Sequence, residues 1–221
     1  MPTQASHLPT LLRSATHPIL LRTPIPSDAA AISDVLSNPE NTEFDPHASA
    51  IPPEVAAKVI DRVRESAAVP SVLDPASGKV ASGPGRVNLA IVHVPGADAG
   101  DAEGVVIGLG GFGGINESTT SEEDGGGKRR VADVGAMLNP EYRGRGFATE
   151  AIRLAVEFAF RGVEEGGLQV DAVSATMSER NLPMVGLVEK KLGWVGVRKA
   201  GEKEGDDGEI YFEVAKDTWR K

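Results

Sequence analysis

The chain has 221 residues, 40% of them hydrophobic, with 23 Lys and Arg against 32 Asp and Glu and a formal net charge of −9. That length and apolar content suit one globular domain with long loops, and the acidic balance argues against a nucleic-acid partner. With no cysteine there is no disulfide framework, thiolate zinc site or cysteine nucleophile; the histidines lack metal-ligand spacing, and no apolar run is long enough to span a membrane.

Residues 1–16 read as a flexible tail. They are a poor transit peptide, because the acid-free stretch 1–27 holds only Arg13 and Arg22. Residues 18–24 read as a short strand. Ser27 then reads as the cap of a helix over 28–37, with acid in its first turn. Residues 38–50 form a loop holding Glu43, Asp45 and His47. Pro52-Pro53-Glu54 opens a second helix ending near residue 66. Residues 70–86, rich in Pro, Gly and Ser, read as a loop. Strands over 87–94 and 105–111 flank a soft acidic turn at 95–104. Residues 115–130 read as a polar, mobile connection, hinged at Gly125-Gly126-Gly127 and ending in Lys128-Arg129-Arg130, a solvated charge run. His17, His47 and His93 read as ordinary loop or strand residues.

The run 131–162 organises the rest. Ala132, Val134, Ala136 and Leu138 alternate with Val131, Asp133, Gly135 and Met137, the period of a strand with one face on a core. Asn139-Pro140 ends that strand. Beyond Arg143-Gly144-Arg145-Gly146, the residues Ala148, Ala151, Ile152, Ala155, Phe158 and Ala159 repeat at helical spacing. Glycines let a backbone approach a ligand closely, and a helix start leaves N–H groups unpaired. The turn therefore reads either as a phosphate cradle with Arg143 and Arg145 adding charge, or as a tight connection with two solvated arginines.

Downstream come a strand over 170–176, Asn181 as a turn or cap residue, a helix over 183–192 stopped at Gly193, and strands over 194–198 and 210–215. This order of elements gives a mixed sheet with helices, an α/β or α+β class. Residues 108–113 fit G-x-G-x-x-G, the fingerprint of a dinucleotide-dependent oxidoreductase. That chemistry needs a helix directly afterwards, and the polar run from Ile115 has no apolar helical period, so these glycines read as a strand end passed closely by a backbone or a ligand.

Arg143-x-x-Gly146-x-Ala148 matches the (Q/R)-x-x-G-x-(G/A) signature of the GNAT superfamily of N-acetyltransferases. The longer string ADVGAMLNPEYRGRGFATEA, with the opening THPILLRTPIPSDAAAISDVLSNPE, resembles its Rim-type branch, which includes acetyltransferases of ribosomal-protein N-termini. The resemblance spans about residues 18–219. It implies a GNAT acyl-CoA N-acyltransferase fold: a mixed, mostly antiparallel sheet flanked by about four helices, in a single domain over 17–221 with insertions near 70–86, 95–104 and 115–130.

It also implies acetyl-CoA as acetyl donor, with no metal, and a primary amine as acceptor. The implied protein is cytoplasmic, a monomer or homodimer, with no nucleic-acid or membrane partner. The cofactor contacts it implies are the backbone of Met137 and Leu138 beside the pantetheine, the turn Arg143, Gly144, Arg145, Gly146, Phe147, Ala148 and Thr149 around the pyrophosphate, and Asn181 on the pantetheine arm. Met184 departs from the family pattern, which often has a serine there to protonate the leaving thiolate; methionine has no proton to give. Tyr211, water or no acid at all are the alternatives. Asp133 occupies a frequent acidic position and is the candidate general base, a structural ion pair being its plainer role. Glu43, Asp45 and His47 are the other candidates for the base. A GNAT-like module that binds acyl-CoA without turnover is the competing reading.

Overall fold

The computed structural model describes residues 3–44, 49–94, 104–120, 127–200 and 208–219. In chain order the strands are β1 (Gln4–Ala5), β2 (Leu11–Arg13), β3 (Ile19–Arg22), β4 (Ser71–Leu73), β5 (Val80–Ser82), β6 (Val87–His93), β7 (Val105–Thr120), β8 (Gly127–Leu138), β9 (Ala172–Ser178), β10 (Gly196–Lys199) and β11 (Glu209–Ala215). The helices are α1 (Ala29–Ser37), α2 (Pro39–Thr42), α3 (Pro53–Ala68), α4 (Phe147–Phe160) and α5 (Leu182–Gly186), the last continuing as a π-turn over Leu187–Lys191. An eight-stranded sheet runs β10-β11-β9-β8-β7-β6-β3-β2, and a small one runs β1-β4-β5. The neighbours in the large sheet are antiparallel except β8 and β9, which are parallel. This is the mixed, mostly antiparallel sheet flanked by helices that the sequence implies.

Helical period decides which faces are buried. In α3 the apolar residues Ala56, Ile60, Val63 and Ala67 fall on one stripe, and all four are buried. With α1 they cover Leu20, Ala90, Val92 and Val106 on one side of the sheet. On the other side α4 presses Phe147, Ala151, Ile152 and Ala155 onto Leu21, Leu89, Ile91, Phe112, Ala132 and Val134. Each large side chain so buried contributes about 1.5–3 kcal/mol. Having helices on both faces explains why β6 reads as a near-continuous apolar run rather than an alternating one.

Several expectations need correction. Of the expected tail 1–16, the described residues 3–16 are not free: β2 pairs with β3, β1 pairs with β4, and His7 and Thr10 are buried. Residues 70–86 are not a plain loop, since β4 and β5 pair there. The stretch 115–130 continues the sheet from Gly114↔Asp133 to Thr120↔Gly127, with residues 121–126 outside the described part; its Ser, Thr and Arg residues pair along strands without any apolar pattern to announce it. Within it Lys128 is exposed, Arg129 is bonded to Glu213, and Arg130 is buried with Nη2 on the Pro84 carbonyl. Strand alternation splits what reads as a single charge run. Ser27 does not cap α1; a 3-10 turn, Pro26–Asp28, precedes that helix. Asp28 holds the entry instead, taking a bidentate bond from Arg22 at 2.6 and 2.8 Å and another from the Ile25 amide. Residues 108–113 lie inside β7, which runs on as strand to Thr120 rather than turning into a helix. At Gly108 a Cβ would stand 2.2 Å from the Met137 carbonyl oxygen, so glycine is what lets β7 and β8 approach.

Candidate active site

β8 and β9 pair at Val131↔Ala172, Ala132↔Val173 and Asp133↔Ser174, and nowhere further. Beyond that rung β8 continues to Leu138 and β9 to Ser178. A wedge therefore opens in the middle of the sheet, with Asp133 at its vertex. One edge of the wedge is unpaired backbone. The Asn139 amide donates to Ile107 of β7; by strand alternation Ala136 and Leu138 turn their peptide groups away from β7, into the wedge, while Met137 is bonded toward β7. Of the two residues expected beside the pantetheine, Leu138 presents its amide there. Met137 shares the Asp133 face of β8 through its side chain.

At the open end of the wedge the chain turns into α4. Asn139-Pro140 stops the strand in a 3-10 turn, Pro140–Tyr142. Gly144 and Gly146 both adopt positive φ, 74° and 81°, a region that L side chains rarely enter. Gly146 is the N-cap of α4 and brings no side-chain cap, so the first-turn amides of Phe147, Ala148 and Thr149 have no helical acceptor. The helix dipole adds partial positive charge at that end, and together these make an anion cradle. Phe147 anchors the turn: it is buried, with its ring centroid 5.6 Å from His93 and 6.2 Å from His17.

Neither arginine of the turn is free. Arg143 donates through Nε to the Leu138 carbonyl at 3.3 Å, through Nη1 to Glu40 at 3.0 Å, and through Nη2 to Asn41. Arg145 lies over the Tyr142 ring, 5.5 Å from its centroid, with Nη2 on the Glu141 carbonyl. Both guanidinium groups are thus engaged within the protein, which leaves the first-turn amides and the helix dipole as the unengaged positive groups of the turn. Asn181 caps α5, its side-chain oxygen accepting from the Met184 amide at 3.3 Å.

On the α1 and α3 side of the sheet, the apolar cluster under those helices includes no residue of β8, β9 or β11. That part of the face carries a polar row instead. Ser174 Oγ donates to Asp133 Oδ1 at 3.1 Å. Tyr211 donates its phenolic hydrogen to Glu213 Oε2, and Arg129 Nη2 lies 2.6 Å from Glu213 Oε1. Burial holds the Asp133 carboxyl above its ordinary range, against opposing bonds from Ser174 and the Thr176 amide. Burial and the bond to Glu213 push Tyr211 up to about 12. Burial also works to raise Glu213, but the bonds from Arg129 and Tyr211 outweigh it and leave that carboxyl low. Asp133 thus has a hydroxyl partner in place of the ion pair that was its plainer reading.

Ser174 and Glu213 were not singled out from sequence, and Arg129 was read only as part of a solvated charge run. The alternation of polar residues at 174 and 176 and at 211 and 213 was visible, but the register that sets them beside Asp133 was not. Of the other candidates for the base, Glu43 is exposed at the end of α2, and Asp45 and His47 lie outside the described residues. Among the described residues no three His, Asp or Glu side chains gather as a metal site, and no helix is long and apolar enough to cross a membrane.

Comparison with curated proteins finds no match. Among solved structures, a GNAT-family acetyltransferase from Bacillus anthracis superposes with a TM-score of 0.63 at 15% identity, over 94% of this chain and 99% of that one. The ribosomal-protein-S5-alanine acetyltransferase of Vibrio fischeri gives 0.59 at 16% identity, over 96% and 100%. The spermidine N-acetyltransferase of Vibrio cholerae, solved with CoA and spermine, gives 0.60 at 14%, over 91% and 97%. The family model for the acetyltransferase (GNAT) domain matches residues 19–193, most of the chain and the whole of the wedge and turn, and the protein belongs to that family of acetyl-CoA-using transferases.

Proposed function

We propose that the protein transfers the acetyl group of acetyl-CoA directly to a primary amine in a ternary complex, the acceptor being a protein N-terminus or a small molecule. The observation that carries this reading is the parting of β8 and β9 beyond Asp133 and Ser174, because it sets unpaired strand amides beside a helix N-terminus. The residues present fit the donor. The turn amides from Gly144 to Thr149 hold the pyrophosphate, and a Cβ on Gly144 would meet only open space. The Asn181 carboxamide, its oxygen engaged by Met184, offers its NH2 group to the pantetheine arm. Bound acetyl-CoA supplies an activated thioester. The Leu138 amide polarises the thioester carbonyl, and Asp133 takes the proton that an ammonium must lose before its nitrogen can attack. Assignment to the Rim-type branch, and to the cytoplasm, is part of the same proposal and rests on the sequence strings.

Met184, standing where the family often has a proton donor, favours a second reading: a module that holds acyl-CoA without turnover. A thiolate is a tolerable leaving group near neutral pH, so the enzyme reading does not need that donor. Calorimetry with acetyl-CoA and with a nicotinamide dinucleotide, followed by turnover assays on alanine-starting peptides, spermidine and an amino sugar, tests both readings. Acetyl-CoA binding with acetylation of any of these amines supports the enzyme. Binding without turnover supports the module, and dinucleotide binding alone overturns both.

A further inference from the structure

The glycines of β7 and β8 are of two kinds. Gly108 and Gly111 are required by the backbone: a Cβ on Gly108 would strike the Met137 carbonyl, and one on Gly111, at φ 86°, would strike the Val87 carbonyl. Gly135 is different. Its φ lies outside the left-handed region, and among the described residues no atom comes within 4 Å of the point where its Cβ would stand. The interior of a strand is an unfavourable place for glycine, which has no side chain to pack and loses the most freedom on folding. Neither backbone conformation nor close packing accounts for this one.

Its position does. Side chains alternate along a strand, so Gly135 shares a face of β8 with Asp133 on one side and Met137 on the other, roughly 7 Å from each. Across the rung from Asp133 stands Gly114 of β7, where a Cβ would meet only the Asn116 side-chain nitrogen, at 3.4 Å. A bulge between Phe112 and Gly114 sets that register. On the other flank β9 parts from β8 after Ser174. No side chain therefore stands opposite Asp133 on β7, or next to it along its own face of β8. An acceptor that presents its nitrogen to Asp133, and to a thioester held at Leu138, lies over Gly135, which stands between them on the strand.

We propose that Gly135 is a specificity-determining residue of the acceptor site: with Gly114, it keeps the space beside Asp133 open for an amine whose carbon next to nitrogen carries two substituents. The inference deepens the function proposed above and rests on it. A nitrogen within about 3 Å of the carboxylate puts that carbon, and whatever branches from it, over Gly135. An unbranched amine is slim enough to pass a small side chain there; a branched one is not. The strand gives up packing to leave that room.

Two peptides identical except for a first residue of glycine or alanine make the test, because they differ by one methyl beside the reacting nitrogen. Spermidine and an amino sugar, unbranched and branched at that carbon, are a second pair. The wild type is expected to acetylate the branched member of at least one pair. Gly135→Val should lower kcat/KM for that amine by roughly tenfold or more, mainly through KM, and change the unbranched member by less than about threefold. Gly135→Ala should act in the same direction and less. Calorimetric affinity for acetyl-CoA should stay near wild type in both. Gly135→Ala should also melt at or above the wild-type temperature, which a glycine required by the fold would not allow. Gly108→Ala is the control: it should melt lower and weaken both members of a pair alike. No loss for the branched amine, equal losses for both members, a lower melting temperature in Gly135→Ala, or a wild type that accepts only unbranched amines overturns the assignment. A wild type that binds acetyl-CoA but acetylates none of the four overturns it together with the enzyme reading. One that binds no acetyl-CoA overturns the proposed function as a whole.

Discussion

His17 Nε2 lies 2.9 Å from the point where a Cβ on Gly146 would stand. Two constraints therefore meet at one residue of the turn: a left-handed backbone at φ 81° and an imidazole packed against its Cα. The imidazole is held in place, since His17 Nδ1 bonds the Thr16 hydroxyl at 2.8 Å and the His17 amide bonds Ser14 Oγ, which in turn bonds Glu150 of α4. Gly146→Val should strain the turn by about 1–2 kcal/mol from the backbone alone, push His17 aside, and lower acetyl-CoA affinity by at least roughly tenfold, given how closely a phosphate must approach such amides. Gly146→Ala combined with His17→Ala should recover part of that loss. Calorimetry on the single and double variants measures this, and wild-type affinity in Gly146→Val would move the cradle elsewhere.

Arg143 bears on the same turn in the opposite sense. Charge beside a phosphate cradle suggests a phosphate ligand, but its guanidinium is spent on Leu138, Glu40 and Asn41. The ion pair is exposed, and pairs of this kind contribute about 0–1 kcal/mol. Arg143→Ala is thus expected to cost little stability and to change acetyl-CoA affinity by less than about threefold, a difference under 1 kcal/mol. A loss of a hundredfold or more would mean that the side chain swings onto the phosphate when the donor binds.

The contrast between these residues marks what was legible in the sequence. Periodicity carries the apolar faces of β8 and α4, because period two and period 3.6 follow from backbone geometry. Proline at 140 and glycines at 144 and 146 carry the turn, because their dihedral restrictions are local. Where Arg143 points is not local: its side-chain partners, Glu40 and Asn41, lie about a hundred residues away, on a short helix with no periodic signal. The same holds for β1, β2, β4 and β5, which at two or three residues are too short to alternate visibly, and for Ser174 and Glu213, which sheet register alone brings to Asp133.

Glu213 makes a prediction about acid stability. Burial opposes its ionisation, but bonds from Arg129 and Tyr211 win, so its folded pKa lies below the unfolded value. A depressed carboxylate contributes stability above the unfolded pKa and loses it as pH falls through the folded one. Both partners are partly exposed, so the contribution is modest. Glu213→Gln is expected to lower stability by about 0.5–1 kcal/mol at neutral pH, and the difference from wild type should close in acid. Melting temperatures at neutral and acidic pH check this; a gap that persists in acid would mean that packing, not charge, is lost.

Asp133→Asn separates catalysis from architecture. The folded pKa of Asp133 is raised by burial, the opposite sign to Glu213. For a raised carboxylate, the unfolded chain ionises first as pH climbs from its unfolded value, so stability falls across that window and levels off above the folded pKa. Asparagine carries no such penalty and can still accept from Ser174. The variant should therefore melt at or above the wild-type temperature at neutral pH, and the two should converge in acid. Activity should move the other way. If Asp133 receives the acceptor proton, kcat/KM should fall by about 10²–10⁴ at neutral pH, recover partly at high pH where more amine is already neutral, and leave acetyl-CoA affinity unchanged. A variant that melts lower and keeps most of its activity would make Asp133 a structural residue. One that is stable with an unchanged pH–rate profile would shift the search for the base to Glu43, Asp45, His47 or a chain of waters.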